Sequence, residues 1–282
     1  MLNDVNVLLA SKGYVFAGPV GTAPPNARQL AEFNAETFGA HQYSLKADNT
    51  PSGGKFKLTA NSQATEDLEY DATAAQIQAA LAKVLGEGNA VVLGEALDGD
   101  GFTVAFIGTL YGQSVTLEVS GSVTPSNAAP KVAEVSQPNG WRAIGHTAED
   151  TLPEFGFEGG EYEAKGSWQK RALREIQTEA PADYVVVNLI QFDDGTFRYY
   201  YGENASKVKG TFGVSSDAKP VEEAFMVITE DGARRLAWAS PKASIRRDAA
   251  IEMSREDFAM MPIRATFMDY PGRNKLDIVF SE

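Results

Sequence analysis

Read as a string of apolar and polar positions, the chain changes period several times. In "GKFKLTA" (54–60) Phe56 and Leu58 alternate with Lys55, Lys57 and Thr59, the period-two signature of a half-buried strand. "DATAAQIQAALAKVLGEG" (71–88) moves to a helical period. Ile77, Leu81, Val84 and Leu85 share one stripe, Thr73 and Gln76 form a capping box, and Gly86 or Gly88 ends the helix. "GFTVAFIG" (101–108) and "SVTLEVS" (114–120) alternate again and bracket a turn at Tyr111-Gly112. Strands with one covering helix predict a small α+β module.

From residue 137 onward the pattern predicts mainly strands. "YVVVNLIQF" (184–192) is nearly all apolar, as for a strand buried on both faces. "EAFMVIT" (223–229), "RRLAWAS" (234–240), "ASIRRDAAIEM" (243–253), "MPIRATFMDY" (261–270) and "KLDIVFS" (275–281) are further strands. Turns fall at Asp231-Gly232, Pro241-Lys242 and Pro271-Gly272, and the last two strands are expected to form a hairpin. On that hairpin Ile263, Ala265 and Phe267 with Leu276, Ile278 and Phe280 make the core face. "SREDFAM" (254–260) reads as a helical turn capped by Ser254, with Asp257 three residues on.

Composition sharpens the division. All three Trp follow residue 137, as do every Arg except Arg28 and every Met except Met1. The segment 40–136 carries five Lys against eleven Asp and Glu. It is read as a separate domain, entered through "DNTPSGG" (48–54) and left through "SVTPSNAAP" (122–130). "GPVGTAPPNARQLAEFNAETFG" (18–39) is rich in Pro and Ala; it is not expected to build a core alone and is expected to lie along something else. The predicted organisation is therefore an N-terminal arm and first part of the main domain (1–39), an inserted domain (40–136) and a main β domain (137–282).

The net charge of −13 argues against a basic groove gripping nucleic acid, and fits a surface past which polyanions slide. There is no cysteine, which removes disulfides, thiolate metal sites and cysteine nucleophiles. No stretch approaches the ~20 apolar residues of a membrane span. "VNVLLA" (5–10) follows Asp4 where a signal peptide carries positive charge. A soluble protein made in a reducing cytoplasm is expected.

Candidate chemistry is sparse. "DGDGF" (98–102) has two spaced aspartates, but the twelfth position from Asp98 is Thr109 rather than Glu, so it reads as a tight turn and not a calcium loop. Asp193-Asp194, Glu149-Asp150 and Glu222-Glu223 are adjacent carboxylates, which do not converge on one substrate as a general-acid pair must. His41 and His146 are too few for most zinc or His-based sites, and no nucleophile-elbow, P-loop or dinucleotide motif is present. No catalytic residue, metal site or cofactor is assigned. The tyrosines of "QFDDGTFRYYYGEN" (191–204) leave two readings: a sugar-stacking site, or an amphipathic segment packed on a sheet.

The order of segments carries a resemblance. "GTAPP" (21–25), "GWRAIGHTAEDT" (140–151), a loop into "SWQKRALREI" (167–176), and a long strand into "QFDDGTFRYYYG" (191–202) resemble the major tail tube proteins of long-tailed, non-contractile phages of actinobacteria. The resemblance covers roughly 1–39 and 137–282. The 40–136 module, with "YDATAAQIQAAL" as its helix, is similar to accessory domains of phage structural proteins.

The resemblance implies a mainly β, α+β chain: a β-sandwich or barrel with one helix and extended arms. It implies a structural virion protein of the tail, made in the host cytoplasm, whose hexameric rings stack into a tube that conducts DNA. Its partners would be other copies of itself, the tape measure, tail terminator and distal tail proteins, and DNA passing without specific binding.

Within that reading 153–169 is the inter-ring contact, with Phe155, Phe157, Glu158, Glu161, Tyr162, Lys165 and Trp168 as candidates. Asp277, Lys275 and Arg264 are candidates for the lumen, and one of Arg246 and Arg247 should point to each face of a regular strand. In α-helical form, 193–202 would be capped by Asp193 or Asp194, packed through Phe197, Tyr200 and Tyr201, and stopped by Gly202. The inserted domain is expected on the tube exterior. The alternatives are a carbohydrate-binding or adhesin-type β protein using Tyr199 to Tyr201 and Trp238, a related tail-terminator or capsid protein, and, last, a glycosidase.

Overall fold

The computed structural model describes residues 7–149 and 151–281. Asp4 and the start of the 5–10 run, and Asp150 of the Glu149-Asp150 pair, lie outside the described residues. The chain divides into two compact units, Met1–Phe33 with Ala143–Glu282, and Asn34–Arg142. The first stretch holds β1 (Lys12–Gly18) and α1 (Ala27–Ala31). The intervening unit holds β2 (His41–Lys46), β3 (Gly53–Ala60), β4 (Gln63–Ala64), β5 (Leu68–Glu69), α2 (Ala74–Leu85), β6 (Ala90–Gly94), β7 (Phe102–Phe106), β8 (Leu117–Thr124) and β9 (Lys131–Ser136). The remainder holds β10 (Arg142–Ala143), β11 (Glu154–Glu158), β12 (Tyr162–Lys165), β13 (Arg174–Gln177), β14 (Ala182–Leu189), α3 (Asp194–Tyr201), β15 (Val221–Asp231), β16 (Arg234–Arg247), β17 (Met261–Phe267) and β18 (Asp277–Phe280).

The Asn34–Arg142 unit encloses its own core. One sheet runs β6-β7-β2-β9; in the other, β3 pairs with β4, β5 and β8. Phe56 and Leu58 of β3 are fully buried, as their alternation with lysines requires, and meet Ile77 and Leu81 of α2 and Phe102, Val104 and Phe106 of β7. Thr73 and Gln76 cap α2 reciprocally, and Gly86 closes it at φ +92°. The Asp98–Gly101 segment is the turn of the β6–β7 hairpin.

Two expectations are corrected here. The stretches 48–54 and 122–130 are internal connections, β2 to β3 and β8 to β9, and not the ends of the unit. They are packed, with Pro51, Val123 and Ala128 buried, because Pro and Gly mark any reversal and not only a domain border. The strands flanking Tyr111-Gly112 also belong to different sheets, since β7 pairs with β2 and β6 while β8 pairs with β3.

The other unit is mainly β. Its eight-stranded sheet runs β10-β1-β15-β16-β17-β14-β11, with β18 also on β16, and the ladders from β1 through to β11 and that of β18 are antiparallel. One face carries Val15, Val185, Val187, Phe225, Val227, Ile245, Ile263, Ala265 and Phe267, covered by α3. Phe155 of β11 and Trp238 of β16 are not on neighbouring strands, yet their rings lie 5.1 Å apart. The sheet therefore curls around this core. Behind β1 and β15, α1 brings Leu30 and Phe33 down on the sheet, and Phe33 meets Tyr14 at 5.2 Å and Phe16 at 5.9 Å. Leu30 and Phe33 thus pack the 18–33 stretch along the sheet of its own unit.

Several strands differ from their sequence reading. β14 alternates: Val185, Val187 and Leu189 are buried, whereas Tyr184, Val186 and Asn188 are half-buried. Pro241 is not a turn. β16 runs through it, with the β15 register shifting between Glu223 and Phe225, and a bulge is where a strand tolerates a residue without an N–H. The Pro241 carbonyl is not wasted, since Gly21 N donates to it at 2.8 Å. On either side of Pro241 the outer neighbour of β16 changes, from β18 at 236–239 to β17 at 243–247.

The last two strands are accordingly not a hairpin. They lie in tandem beside β16, and the parity expected for the second is reversed: Ile278 and Phe280 are exposed, while Leu276 alone of its set reaches the core. The strand reading of 243–253 holds only to Arg247. "SREDFAM" is a bend and not a helix, although Ser254 does accept from the amides of Glu256 and Asp257 at 3.1 and 3.0 Å.

Candidate assembly surfaces

The tyrosine stretch is settled by its geometry. Asp193, in extended backbone, caps α3: its carboxylate accepts from Thr196 N at 2.9 Å, and Thr196 Oγ1 accepts from Asp193 N at 3.0 Å. Burial raises the Asp193 pKa, but bonds from Gln191, Thr196 and Gly195 outweigh it and hold the carboxyl below its ordinary value. Gly202 ends the helix at φ +85°, where a Cβ would sit 2.8 Å from the Lys219 carbonyl oxygen.

Tyr199 and Tyr200 are 3% and 8% exposed, and Phe197 and Tyr201 pack more loosely at the margin of the core. The hydroxyls are not left to water. Tyr199 donates to Glu223 at 2.9 Å and Tyr200 to the Ala249 carbonyl at 2.6 Å. Glu223 also accepts from Arg198 at 2.7 Å, and Arg198 reaches Glu203 at 2.6 Å. Burial lowers the pKa of Arg198, but its bonds to the two carboxylates prevail and hold it above the ordinary value. Residues so enclosed offer no stacking platform to a sugar. Sequence reasoning placed Tyr200 in the packing, but gave Tyr199 only as a stacking platform and Glu223 only as one of two adjacent carboxylates, and missed Arg198, because a cross-element ion pair has no local signal.

The inter-ring candidates lie on an arm. β11 pairs with β14 up to Glu158↔Ala182, and both strands then leave the sheet. Gly159 and Gly160, at φ +72° and +75°, bend the outgoing strand. Beyond them β12 and β13 pair as a separate two-stranded ribbon, closed by Thr178 N donating to Glu161 O at 2.8 Å. Every residue from 161 to 180 is exposed, on both faces of the ribbon. Its tip turns through Ser167 and Lys170, and Trp168 stands wholly in solvent.

The structure separates the candidates. Phe155 stacks on Trp238, and Glu158 pairs with Arg264, so both serve their own unit. Phe157, Glu161, Tyr162, Lys165 and Trp168 are exposed. A polar, Gly-rich loop is expected at 153–169; strands β11 and β12 are found there instead, and β12 escapes sequence reading because neither face of the ribbon carries the apolar alternation that betrays a strand.

The lumen candidates are each engaged. Arg264 points away from the core face, lies 4.0 Å from the Tyr184 ring centroid, and pairs with Asp248 at 2.6 Å as well as with Glu158. Lys275 meets Asp183 at 2.5 Å, and Asp277 accepts from Asn274 at 2.8 Å with Arg273 3.8 Å away. Register places Arg246 beside Arg264 and Arg247 beside Ile263, so the two neighbouring arginines take opposite faces. Arg247, Lys219 and Ser215 line a shallow cleft of about 470 Å³ next to α3.

At the far end of β14 and β17, where Leu189 pairs with Met261, the chain makes a second exposed feature. Glu252 and Met260 close it with two backbone bonds of 2.9 Å. Between them Met253 and Phe258 are 78% and 76% exposed.

A family profile described as phage tail tube protein matches residues 95–280. The chain belongs to the phage tail tube protein family. Two curated relatives, the major tail proteins Gp23 of Mycobacterium phage L5 and Mycobacterium phage D29, are each 45% identical over 177 residues, 61% of this chain and 86% of theirs. A solved chain from Mycobacterium phage Patience aligns at a TM-score of 0.26 with 19% identity, over 38% of this chain and 50% of that one, a likeness too slight to build on. This tail tube protein is thus a structural component of a phage tail, and its place is the virion. The family match takes in the arm, α3 and every strand of the curled sheet except β1, and it starts inside the Asn34–Arg142 unit. No helix among the described residues is long and apolar enough to cross a membrane.

Proposed function

We propose that copies of this tail tube protein close into hexameric rings, that the rings stack through the arm at 161–178, and that the resulting tube conducts DNA. The observation that carries the reading is the arm. A ribbon of two short strands with neither face covered is marginal in water by itself, so its sequence makes sense when another surface covers it. Family membership supplies the self-assembly in general terms.

The edges of the curled sheet fit ring closure. β11 pairs on one side only, and an exposed edge is a liability that closure into a common barrel removes. In that ring Arg264, Lys275 and Asp277 would line the bore with their charges already paired. The surplus carboxylates of a chain at −13 would then keep phosphates moving. The Asn34–Arg142 unit would sit outside the tube, since it brings its own core. Tape measure, tail terminator and distal tail proteins would contact the bore and the two ends, and the chain would be made in the host cytoplasm before assembly. Electron microscopy of the purified chain at high concentration tests the reading. Rings or tubes of sixfold symmetry are expected; a protein that stays monomeric at millimolar concentration would overturn it.

A further inference from the structure

The arm and the loop at 252–259 stand at opposite ends of the same strands. β14 begins where the arm leaves the sheet, at Ala182, and ends at Leu189 beside Met261, the second residue after the loop. Their surfaces are complementary. The arm's tip, 165–174, carries Lys165, Lys170, Arg171 and Arg174 and no carboxylate, around the solvent-standing Trp168 and the exposed Leu173. The loop carries Glu252, Glu256 and Asp257 against the single Arg255, around the exposed Met253 and Phe258. A monomer gains nothing from either apolar pair in water. Exposed aromatics and methionine rimmed by charge mark a protein-binding surface.

We propose that the 252–259 loop receives the tip of the arm of a second copy of this chain. This rests on the reading of the arm as the bridge between rings, and it names what the arm binds. Trp168 packs against Met253 and Phe258, and the tip's cations face Glu252, Glu256 and Asp257. A donor at one end of a subunit and its receptor at the other make a heterologous, head-to-tail contact, the kind that repeats without closing. Opposite charge at the rim sets register and orientation, while the central aromatic supplies the anchor. The occupant is a second copy because the chain itself carries both halves, at opposite ends of β14, and within one molecule each stands uncovered.

The absence of cysteine from the chain makes the test direct. A chain carrying both Gln169→Cys and Ala259→Cys, which keeps Trp168 and Phe258 in place, assembled and then oxidised, is expected to give a ladder of covalent oligomers on a non-reducing gel. Each single variant should stop at dimers. A double variant that also stops at dimers overturns the proposal. Charge exchange gives an independent arm. Lys170→Glu with Arg171→Glu, and Glu256→Lys with Asp257→Lys, should each reduce tube yield at least tenfold, and the four changes together should restore it. All four residues are exposed, so circular dichroism should be unchanged. If the arm variant abolishes tubes while the loop variant assembles normally, the loop is not the receptor and the bridging role of the arm stands. If a chain lacking 161–178 forms normal tubes, the bridging role falls as well.

Discussion

At the scale of single residues the most informative positions are those whose polar groups are enclosed. Asp193 caps α3, and replacing it with alanine should cost about 1 kcal/mol, the usual worth of such a cap. Its carboxyl is held below the ordinary value near 3.9. The sign follows: a depressed carboxylate contributes in full above the unfolded value, and its contribution is lost as pH falls through the folded one. Urea denaturation of the parent and Asp193→Ala should differ at pH 7, and the difference should shrink as the pH falls below the ordinary carboxylate range. Glu223 is a harsher case, because it answers both Arg198 and Tyr199. Glu223→Ala should destabilise by about 2–3 kcal/mol, somewhat less than a fully enclosed pair, since the Arg198 side chain is 29% exposed. A midpoint shift under half a kcal/mol (~0.5, the scale of a neutral surface change) would show that the pair is idle. Trp168→Ala, by contrast, should leave stability unchanged within about 0.5 kcal/mol and act on assembly alone.

At the scale of elements the sharpest prediction concerns the arm. Removing 161–178 and joining the stem with a short turn should leave a folded chain with an unchanged thermal midpoint, because no residue of the ribbon is buried, yet no long tubes should appear by electron microscopy. What was legible at this scale was local. The caps of α2 and α3, the alternation of β3 and the turn at 98–101 rest on neighbours within a few residues, and the sequence displays them. What was hidden was decided at a distance. Pro241 has the look of a turn until β15 opposes it with a register shift. The strands at 261–267 and 277–280 carry a turn between them, but nothing in either states that β16 is long enough to seat both. The parity of β18 failed for the same reason, since its inward side is set by β16 and not by the turn. The arm was partly legible: its residues were singled out as a contact, but its ribbon form has no apolar face to announce it.

At the scale of the whole molecule two cores invite a thermodynamic test. Leu45, Phe56, Ile77 and Phe102 belong to one cluster, and Val15, Val187, Phe225 and Ile263 to another. Differential scanning calorimetry should resolve two transitions, and a chain lacking 34–142, with Phe33 linked to Ala143, should retain only one of them. That shortened chain should still form tubes if the intervening unit is an exterior addition; a folded product that never assembles would place it in the wall. The bare ribbon has a further consequence for how tubes grow. A two-stranded segment without a buried face is only marginally ordered, so its free form pays the entropy of ordering at the moment it docks. The first subunits to dock must meet that cost without ring neighbours beside them, whereas a subunit landing on a formed end gains an arm contact and ring neighbours together. Polymerisation should therefore show a lag and a critical concentration, and added tube fragments should abolish the lag.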